Sequence, residues 1–303
     1  MGEVAGVTHT VVVGVDESES TADAVVWAAR EAARRHAELR LVLAFTPGRF
    51  PARTDDGDGR AEAQATLDAA RALALEVAPG VRLSTLLVDG LPVPVLAEQG
   101  HRSDLLVIGS HGASGLSVAV LGSTARELAA GGPGPVIVVS GPDPESLPEA
   151  GVLPVVVGVD GSEQSRRAAH FAAEEARLTH VPLVVAHVDT DPATDKSAAL
   201  VFESLLTSYP GEPLEYRRLV GSPADALVDC SSEARLLVVG SRGKGGLVGL
   251  FGGSVSQILM RRAQCPVAVV PPTMRARAWA ERGGHDASPE LTPPRKARRL
   301  RRI

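Results

Sequence analysis

The sequence has few aromatic residues, few cysteines and no long apolar run. Aromatic residues make up 3% of the 303 residues and hydrophobic residues 44%, so the core has to be built from Val, Leu and Ala. The two cysteines, Cys230 and Cys265, form no C-x-x-C pair, which argues against a disulfide framework and a zinc site. No apolar run approaches the roughly 18 residues of a membrane helix, and no signal peptide is evident. We therefore expect a soluble, cytoplasmic protein without membrane contact.

Charge is distributed unevenly along the chain. Residues 274–303 contain nine Arg or Lys and three acidic residues, whereas the whole chain has a net charge of −5, so the preceding body is strongly acidic. An acidic body argues against binding of duplex nucleic acid by the folded part. The basic segment, which we interpret as a disordered tail over 273–303, could still bind RNA or acidic surfaces weakly.

Two common nucleotide-binding motifs are missing. The sequence contains no G-x-x-x-x-G-K-[ST] motif, and the segment after the first predicted strand lacks G-x-G-x-x-G. A P-loop enzyme and a dinucleotide-binding dehydrogenase are therefore not indicated.

The sequence repeats itself once. Three signals occur twice in the same order, at an offset of 144 residues for the first and 131 for the other two. We attribute the 13-residue difference to the polar loop over 47–60. The repeats predict two domains, 1–141 and 153–272, joined by a linker over 142–152. The paired signals are HTVVVGVD (9–16) with LPVVVGVD (153–160), LLVIGSHG (105–112) with LLVVGSRG (236–243), and GPVIVV (134–139) with CPVAVV (265–270).

Short β-branched runs alternate with helical patterns in each copy. This order predicts an α/β fold of two similar domains, each a five-stranded parallel sheet with helices on both faces, as in Rossmann-like proteins. Predicted strands are 11–15, 39–45, 82–88, 105–108 and 136–139 in the first copy, and 155–159, 183–188, 214–220, 236–239 and 267–270 in the second.

A glycine pattern, G-x2-G-x9-G-S, follows the fourth strand of each copy. Its glycines allow close approach of a ligand, and its final serine begins a helix, whose N-terminus favours phosphate. Asp16 or Asp160 ends the first strand at the same sheet edge, where its carboxylate could bind ribose hydroxyls. The alternatives are a structural turn for the glycines and a helix N-cap for the acids.

These glycines, with VGVD ahead of them, make the chain similar to the universal stress protein family, in its tandem two-domain form. The resemblance covers about 8–140 and 153–272. It implies an adenine nucleotide alpha hydrolase-like fold that binds ATP, with Mg or Mn accompanying the phosphates, and no metal site built by the protein alone. Carried over by position, the binding residues are Asp16, Leu41, Gly109, Gly112, Gly122, Ser123 and Thr124 in the first copy, and Asp160, Leu183, Gly240, Gly243, Gly253, Ser254 and Val255 in the second.

The two copies differ at the phosphate loop. Arg242 and Lys244 of the second loop are cations that can meet phosphate, where the first has His111 and Ala113. We therefore predict tighter ATP binding by the second domain. His111 itself is interpreted as a loop residue rather than a ligand.

Three functions remain open from the sequence. The first is an ATP-binding regulatory protein of the stress response, without a catalytic residue. The second is an interaction scaffold independent of nucleotide, whose last strands pair the two domains within the chain, and whose chains then form a homodimer. The third is a slow metal-dependent ATP hydrolase that uses Asp16 or Asp160.

Overall fold

The structure is a computed structural model that describes residues 9–47, 59–111, 121–141, 152–189, 197–241 and 254–272. The predicted basic tail and most of the predicted linker lie outside these residues. Within them, no helix is long and apolar enough to cross a membrane.

Strands and helices alternate along the described chain and form two matching halves. The first half comprises β1 (Thr10–Gly14), α1 (Glu19–Arg34), β2 (Glu38–Phe45), α2 (Arg60–Val77), β3 (Arg82–Asp89), α3 (Pro92–Gly100), β4 (Leu105–Gly109), α4 (Ser123–Gly131) and β5 (Val136–Val139). The second comprises β6 (Val155–Val159), α5 (Glu163–Thr179), β7 (Leu183–Asp189), α6 (Ser197–Ser208), β8 (Leu214–Val220), α7 (Pro223–Ser231), β9 (Leu236–Gly240), α8 (Ser254–Arg262) and β10 (Val267–Val270). Each predicted strand is present, with bounds that differ by no more than one residue.

All ten strands belong to one sheet, in the order β3-β2-β1-β4-β5-β10-β9-β6-β7-β8. Neighbours within each half are parallel, which confirms the predicted α/β fold. The two halves meet through β5 and β10, which are antiparallel with Ala268 opposite Ile137. The predicted pairing of the two domains through their last strands is therefore confirmed. A pseudo-twofold axis between these strands relates the halves.

Each face of the sheet has its own hydrophobic core, and both cores contain residues of both halves. Alternate residues of β1 show the separation: Val11 and Val13 face α1 and α2, whereas Val12 faces α3 and α4. Helices α5 and α6 continue the first helical layer, and α7 and α8 continue the second. Burial on both faces explains why the strands are continuous Val and Leu runs rather than alternating patterns.

The difference in length between the copies is only partly a loop difference. The segment between β2 and α2 is twice as long as its counterpart between β7 and α6. Helix α2 itself has 18 residues, whereas α6 has 12. The loop over 47–60 therefore accounts for about half of the 13 residues, and the prediction missed the rest because helical periodicity does not fix helix length.

Histidine ends the first helix of each half in the left-handed conformation. His36 follows α1 with φ 51°, and His180 follows α5 with φ 54°. The next backbone N–H in each case bonds back five residues, from Ala37 to Ala32 and from Val181 to Ala176. This is the Schellman ending, in which glycine is the usual residue.

A buried charged cluster joins the halves on the α1 and α5 side. It consists of Glu31 from α1, Arg35 directly after α1, Glu175 from α5, and Arg235 before β9, and each side chain is less than 7% exposed. Arg35 donates to Glu31 with an Nε–Oε1 distance of 2.7 Å, and its Nη2 donates to Glu175 in the other half. Arg235 Nη2 lies 3.8 Å from Glu31 Oε2.

Ionisation of this cluster depends on its pairing. Burial raises the pKa of Glu31, but the guanidinium groups of Arg35, Arg34 and Arg235 outweigh it and hold that pKa below its usual range. Burial also disfavours the charged form of Arg35, yet Glu175 and Glu31 raise its pKa overall. Glu31 and Arg35 are therefore both charged at neutral pH.

Both cysteines are buried side chains of the second half. Cys265 packs in the core on the α7 and α8 side, and burial raises the pKa of its thiol to about 12. Burial also raises the pKa of Cys230. Each thiol is protonated at neutral pH, and Cys265 packs as a small buried hydrophobic residue.

Candidate functional site

The candidate site is a cleft at the carboxyl ends of β1 and β4. Strand β1 lies between β2 and β4, and the chain leaves β1 on one face of the sheet and β4 on the other. Such a reversal opens a crevice, which is where open α/β sheets bind ligands. The cleft encloses about 780 Å³ including its open mouth. Its lining comprises Gly14, Val15, Asp16, Thr21, Val42, Ala44, Pro92, Leu96, Ile108, Gly109, His111, Gly122, Ser123, Thr124 and Ala125.

Asp16 both fixes the start of α1 and lines the cleft. Its Oδ1 accepts hydrogen bonds from the Ser18 N–H at 3.0 Å, the Ser18 hydroxyl at 2.5 Å and the Thr21 hydroxyl at 2.8 Å. Thr21 in turn accepts from the Asp16 N–H at 3.1 Å. No hydrogen bond to Oδ2 is made within the described residues. One carboxylate oxygen therefore serves the fold, and the other is left to accept from a ligand.

Position 109 requires glycine because α1 packs closely against it. A Cβ at this position would lie 2.3 Å from Ser20 Oγ and 3.0 Å from the Ser20 carbonyl carbon. The φ angle of Gly109 is not positive, nor is that of Gly122, which is −59°. Gly109 therefore has a packing role in addition to its place in the cleft lining, and its contact with a ligand stays a prediction.

His111 lines the cleft and is held from two sides. Its Nδ1 lies 2.7 Å from the hydroxyl of Ser110, which is 1% exposed. Its backbone carbonyl accepts from the Ser20 hydroxyl at 2.9 Å. The Ser110 carbonyl also accepts from the Gly122 N–H at 2.8 Å, which ties the loop to the start of α4. The sequence interpretation of His111 as a loop residue missed its place in the cleft wall.

The N-terminus of α4 forms the opposite wall. Gly122 is the N-cap residue, and the Arg126 N–H donates to its carbonyl at 3.1 Å. The N–H groups of Ser123, Thr124 and Ala125 precede this first helical bond, and these three residues line the cleft. Together with the helix dipole they make this wall favourable for an anion.

The apolar wall comes from β2, α3 and β4, but not from the predicted leucine. Val42 and Ala44 line the cleft, whereas Leu41 is fully buried and faces α1 and α2 on the other side of the sheet. Leu183 is likewise fully buried on that side. The two leucines are not even equivalent, because Leu41 pairs with Val13 and Leu183 with Val155, the counterpart of Val11. Leu41 is thus one residue away from Val42 of the apolar wall, whereas Leu183 is three residues away from Ala186, which stands at the offset of 144 from Val42.

The second half repeats the acid but differs in its surroundings. Asp160 Oδ1 accepts from the Ser162 N–H at 2.9 Å, while the Ser162 hydroxyl accepts from the Ser165 N–H as a regular N-cap. Gly161 has φ +77°, and a Cβ there would lie 1.9 Å from Ser197 Oγ at the start of α6. Glycine is needed at 161 on both counts, which explains the difference from Glu17 of the first half.

The described residues include the two ends of the second phosphate loop. Gly240 ends β9 and is half-buried, and α8 begins at Ser254, followed by the partly buried Val255. The rest of the second loop lies outside the described residues, namely Arg242, Gly243, Lys244, Gly253 and the side chain of Ser254. Gly112 of the first loop lies outside them as well. Their roles remain predictions.

Sequence comparison gives the same two halves. The pattern of the Universal stress protein family matches residues 8–140 and 152–271. The chain belongs to the universal stress protein family. Both halves are universal stress protein domains, so the predicted tandem form of the family is confirmed.

Relatives extend over nearly the whole chain. Two universal stress proteins of Mycobacterium tuberculosis are each 32% identical, over 288 and 284 residues, covering 86% of this chain and 96% and 95% of their own. A universal stress protein crystal structure from Archaeoglobus fulgidus has a TM-score of 0.70 at 21% identity and covers 87% of this chain and 98% of its own. One from Pseudomonas aeruginosa has a TM-score of 0.58 at 20% identity, covering 90% and 96%. The two structures support the universal stress protein fold in both halves.

Four hydroxyl groups around the cleft were not predicted as site residues. Ser18, Ser20 and Thr21 hold Asp16 or the loop at 111, and Ser110 holds His111. One signal was available in the sequence, since a hydroxyl residue recurs at the offset of 144 from both Ser18 and Thr21. The universal stress protein motif alone does not include these positions.

Proposed function

We propose that this universal stress protein binds an adenine nucleotide, ATP above all, in the first cleft and acts as a regulatory protein of the stress response. The observation that supports this most directly is Asp16, which lines the cleft and whose Oδ1 accepts three hydrogen bonds, whereas no described residue donates to its Oδ2. A ribose presents two hydroxyl donors to such an oxygen.

The remaining walls fit the rest of the nucleotide. Val42, Ala44, Leu96 and Ile108 give a flat apolar surface for a base, as small-molecule sites commonly have. The first-turn N–H groups of α4 suit the phosphates. Magnesium or manganese would arrive with the phosphates, and among the described residues no three His, Cys, Asp or Glu side chains group as metal ligands.

Filling the apolar wall tests the site. Ala44 is half-buried in the cleft, so Ala44→Phe should remove one nucleotide per chain without disturbing the core. Ala69→Phe on the exposed face of α2 is the matched control. Mass spectrometry under non-denaturing conditions counts the bound nucleotides and the chains per assembly together. An unchanged nucleotide count in Ala44→Phe would refute the proposed cleft.

We further propose that the second domain binds ATP more tightly, because Arg242 and Lys244 add cations to its loop. Nucleotide titration of the full chain compares Asp16→Ala with Asp160→Ala. The larger loss of affinity is expected for Asp160→Ala. The reverse order would contradict this proposal and leave the first cleft as the stronger site.

A nucleotide-independent scaffold remains the second candidate, and the continuous ten-stranded sheet favours it. Strands β5 and β10 are already hydrogen-bonded to each other, so a homodimer or another partner would bind a different surface. With two Trp and two Tyr, co-purified nucleotide would be conspicuous in the absorbance ratio at 260 and 280 nm. Purified protein without any nucleotide signal, and without uptake of added ATP, would favour the scaffold.

No catalytic step is proposed. A slow ATP hydrolase would need Asp16 or Asp160 at the phosphates or their metal, whereas Asp16 Oδ1 is already engaged by α1. Turnover that disappears when either acid is replaced would support the hydrolase instead. Cytoplasmic location also remains a prediction from composition.

A further inference from the structure

His111 and Ser110 form a side-chain pair in the wall of the first cleft that the family motif does not assign. The motif fixes the glycines at 109 and 112 and leaves the two positions between them open. Ser110 is 1% exposed, and its hydroxyl lies 2.7 Å from His111 Nδ1. A buried hydroxyl that bonds to one ring nitrogen fixes the orientation of the imidazole.

The ring is held beside the phosphate-favouring wall. The Ser110 carbonyl accepts from the N-cap residue of α4, so His111 follows directly on the contact between loop and helix. On the other side, the Ser20 hydroxyl donates to the His111 carbonyl and accepts from the His111 N–H. Consequently His111 and the first turn of α4 line the same cleft from adjacent positions.

The chemistry of the pair suits an anion. The Ser110 hydroxyl can donate to Nδ1 of a neutral imidazole or accept from a protonated one. When the hydroxyl donates to Nδ1, Nε2 carries the ring proton and is the atom with which His111 would donate to a ligand. A charged imidazole adds a charge-assisted hydrogen bond to a phosphate oxygen.

The second half has a different arrangement at the same position. Ser241 is the counterpart of Ser110 and is 1% exposed, but its hydroxyl makes no hydrogen bond within the described residues. The residue that follows it in sequence is Arg242 rather than histidine. The sequence thus has a side chain that can carry positive charge at this point of both loops, and in the first loop a buried serine bonds to it.

We propose that His111, oriented by Ser110, contacts the phosphate chain of the nucleotide in the first cleft and makes this cleft prefer ATP over adenosine. This rests on the proposed nucleotide binding and adds a phosphate-sensing residue to it. The base and ribose contacts, at Val42, Ala44 and Asp16, are the same for ATP and adenosine. The preference must therefore come from the wall formed by His111 and α4.

Calorimetric titration with ATP and with adenosine tests the proposal on the full chain carrying Asp160→Ala, which weakens the second cleft. His111→Ala should lower ATP affinity about tenfold or more and leave adenosine affinity within about twofold. His111→Gln should fall between, because its side-chain amide keeps an N–H donor. His111→Arg should restore ATP binding. His101→Ala, an exposed histidine after α3, is the matched control and should change neither affinity.

The outcomes separate two failures. Binding of neither ligand by the Asp160→Ala parent would overturn the proposed function, and the role of His111 with it. Binding of ATP with equal affinity by the parent and by both the Ala and Gln variants would overturn the role of His111 alone. An equal loss of ATP and adenosine would show that His111 shapes the cleft, which also overturns phosphate contact.

Discussion

Replacing Arg35 by methionine should destabilise the protein far more than replacing its neighbour Arg34. Arg35 is 6% exposed and bridges Glu31 of its own helix and Glu175 of the other domain. Methionine retains most of the apolar stem but leaves two buried carboxylates without their shared partner. Removing one member of a buried ion pair costs about 3–5 kcal/mol, a large share of the roughly 5–15 kcal/mol of a folded domain.

Arg34→Met is the matched control for this experiment. Arg34 binds the same carboxylate, with an Nη1–Oε2 distance of 3.1 Å, but its side chain is 28% exposed. Partly solvated pairs of this kind contribute less than about 1 kcal/mol. Urea denaturation followed by the fluorescence of Trp27, buried in α1, reports the free energy of unfolding. A loss below about 1 kcal/mol for Arg35→Met, equal to that of Arg34→Met, would refute the reasoning.

The pH dependence of stability provides a second test of Arg35→Met. The folded-state pKa of Glu31 is lowered, so its contribution is present above the unfolded pKa of about 4.3 and is lost as pH falls through the folded value. Arg35→Met removes the largest of the charges that lower the pKa of Glu31, so this pKa should be higher in the variant than in the parent. Loss of stability with acid should therefore begin at higher pH in the variant. Parallel stability curves between about pH 4 and 7 would contradict this.

Three further changes test separate features. His36→Gly and His180→Gly should each raise the unfolding free energy by about 0.5–1 kcal/mol in urea denaturation, because glycine adopts positive φ without steric cost; destabilisation would argue against the helix endings described. Gly109→Ala should lower the melting temperature because its Cβ meets Ser20, whereas Gly131→Ala, with nothing within 4 Å, should not; equal melting temperatures would contradict the packing role. Thr21→Val should weaken ATP binding in calorimetric titration, since it frees Asp16 Oδ1 from one donor; unchanged affinity would argue against the need for a fixed carboxylate.

Strand positions could be predicted from sequence because burial on both faces leaves an unambiguous signal. Runs such as 105–108 and 267–270 have no polar interruption, and their ends fall where the apolar residues end. The face on which each residue lies could not be predicted in the same way. Leu41 and Val42 are equally apolar, and only the course of the connections decides which of them meets the cleft.

The buried charges between the domains were missed because single charges in Ala-rich helices look like surface residues. Glu31 and Glu175 stand at the offset of 144, as do His36 and His180, so the repeat contained a signal for both features. The arginines gave no such signal. Arg35 and Arg235 occupy positions that are not repeated, and the cluster exists only where the two domains meet.

The glycine motif does not by itself indicate nucleotide binding, because a glycine can be required for packing alone. Gly109 of the motif is required by the approach of Ser20, and Gly161, which lies outside the motif, by its φ and by Ser197. Neither requirement involves a ligand. A domain could therefore keep these glycines for packing after losing the nucleotide. The residues that distinguish a binding cleft are those whose polar atoms the fold leaves for a ligand, above all Asp16 Oδ2. Nucleotide affinity should accordingly follow substitutions at Asp16 and His111, whereas substitutions at Gly109 should act on stability and affinity together.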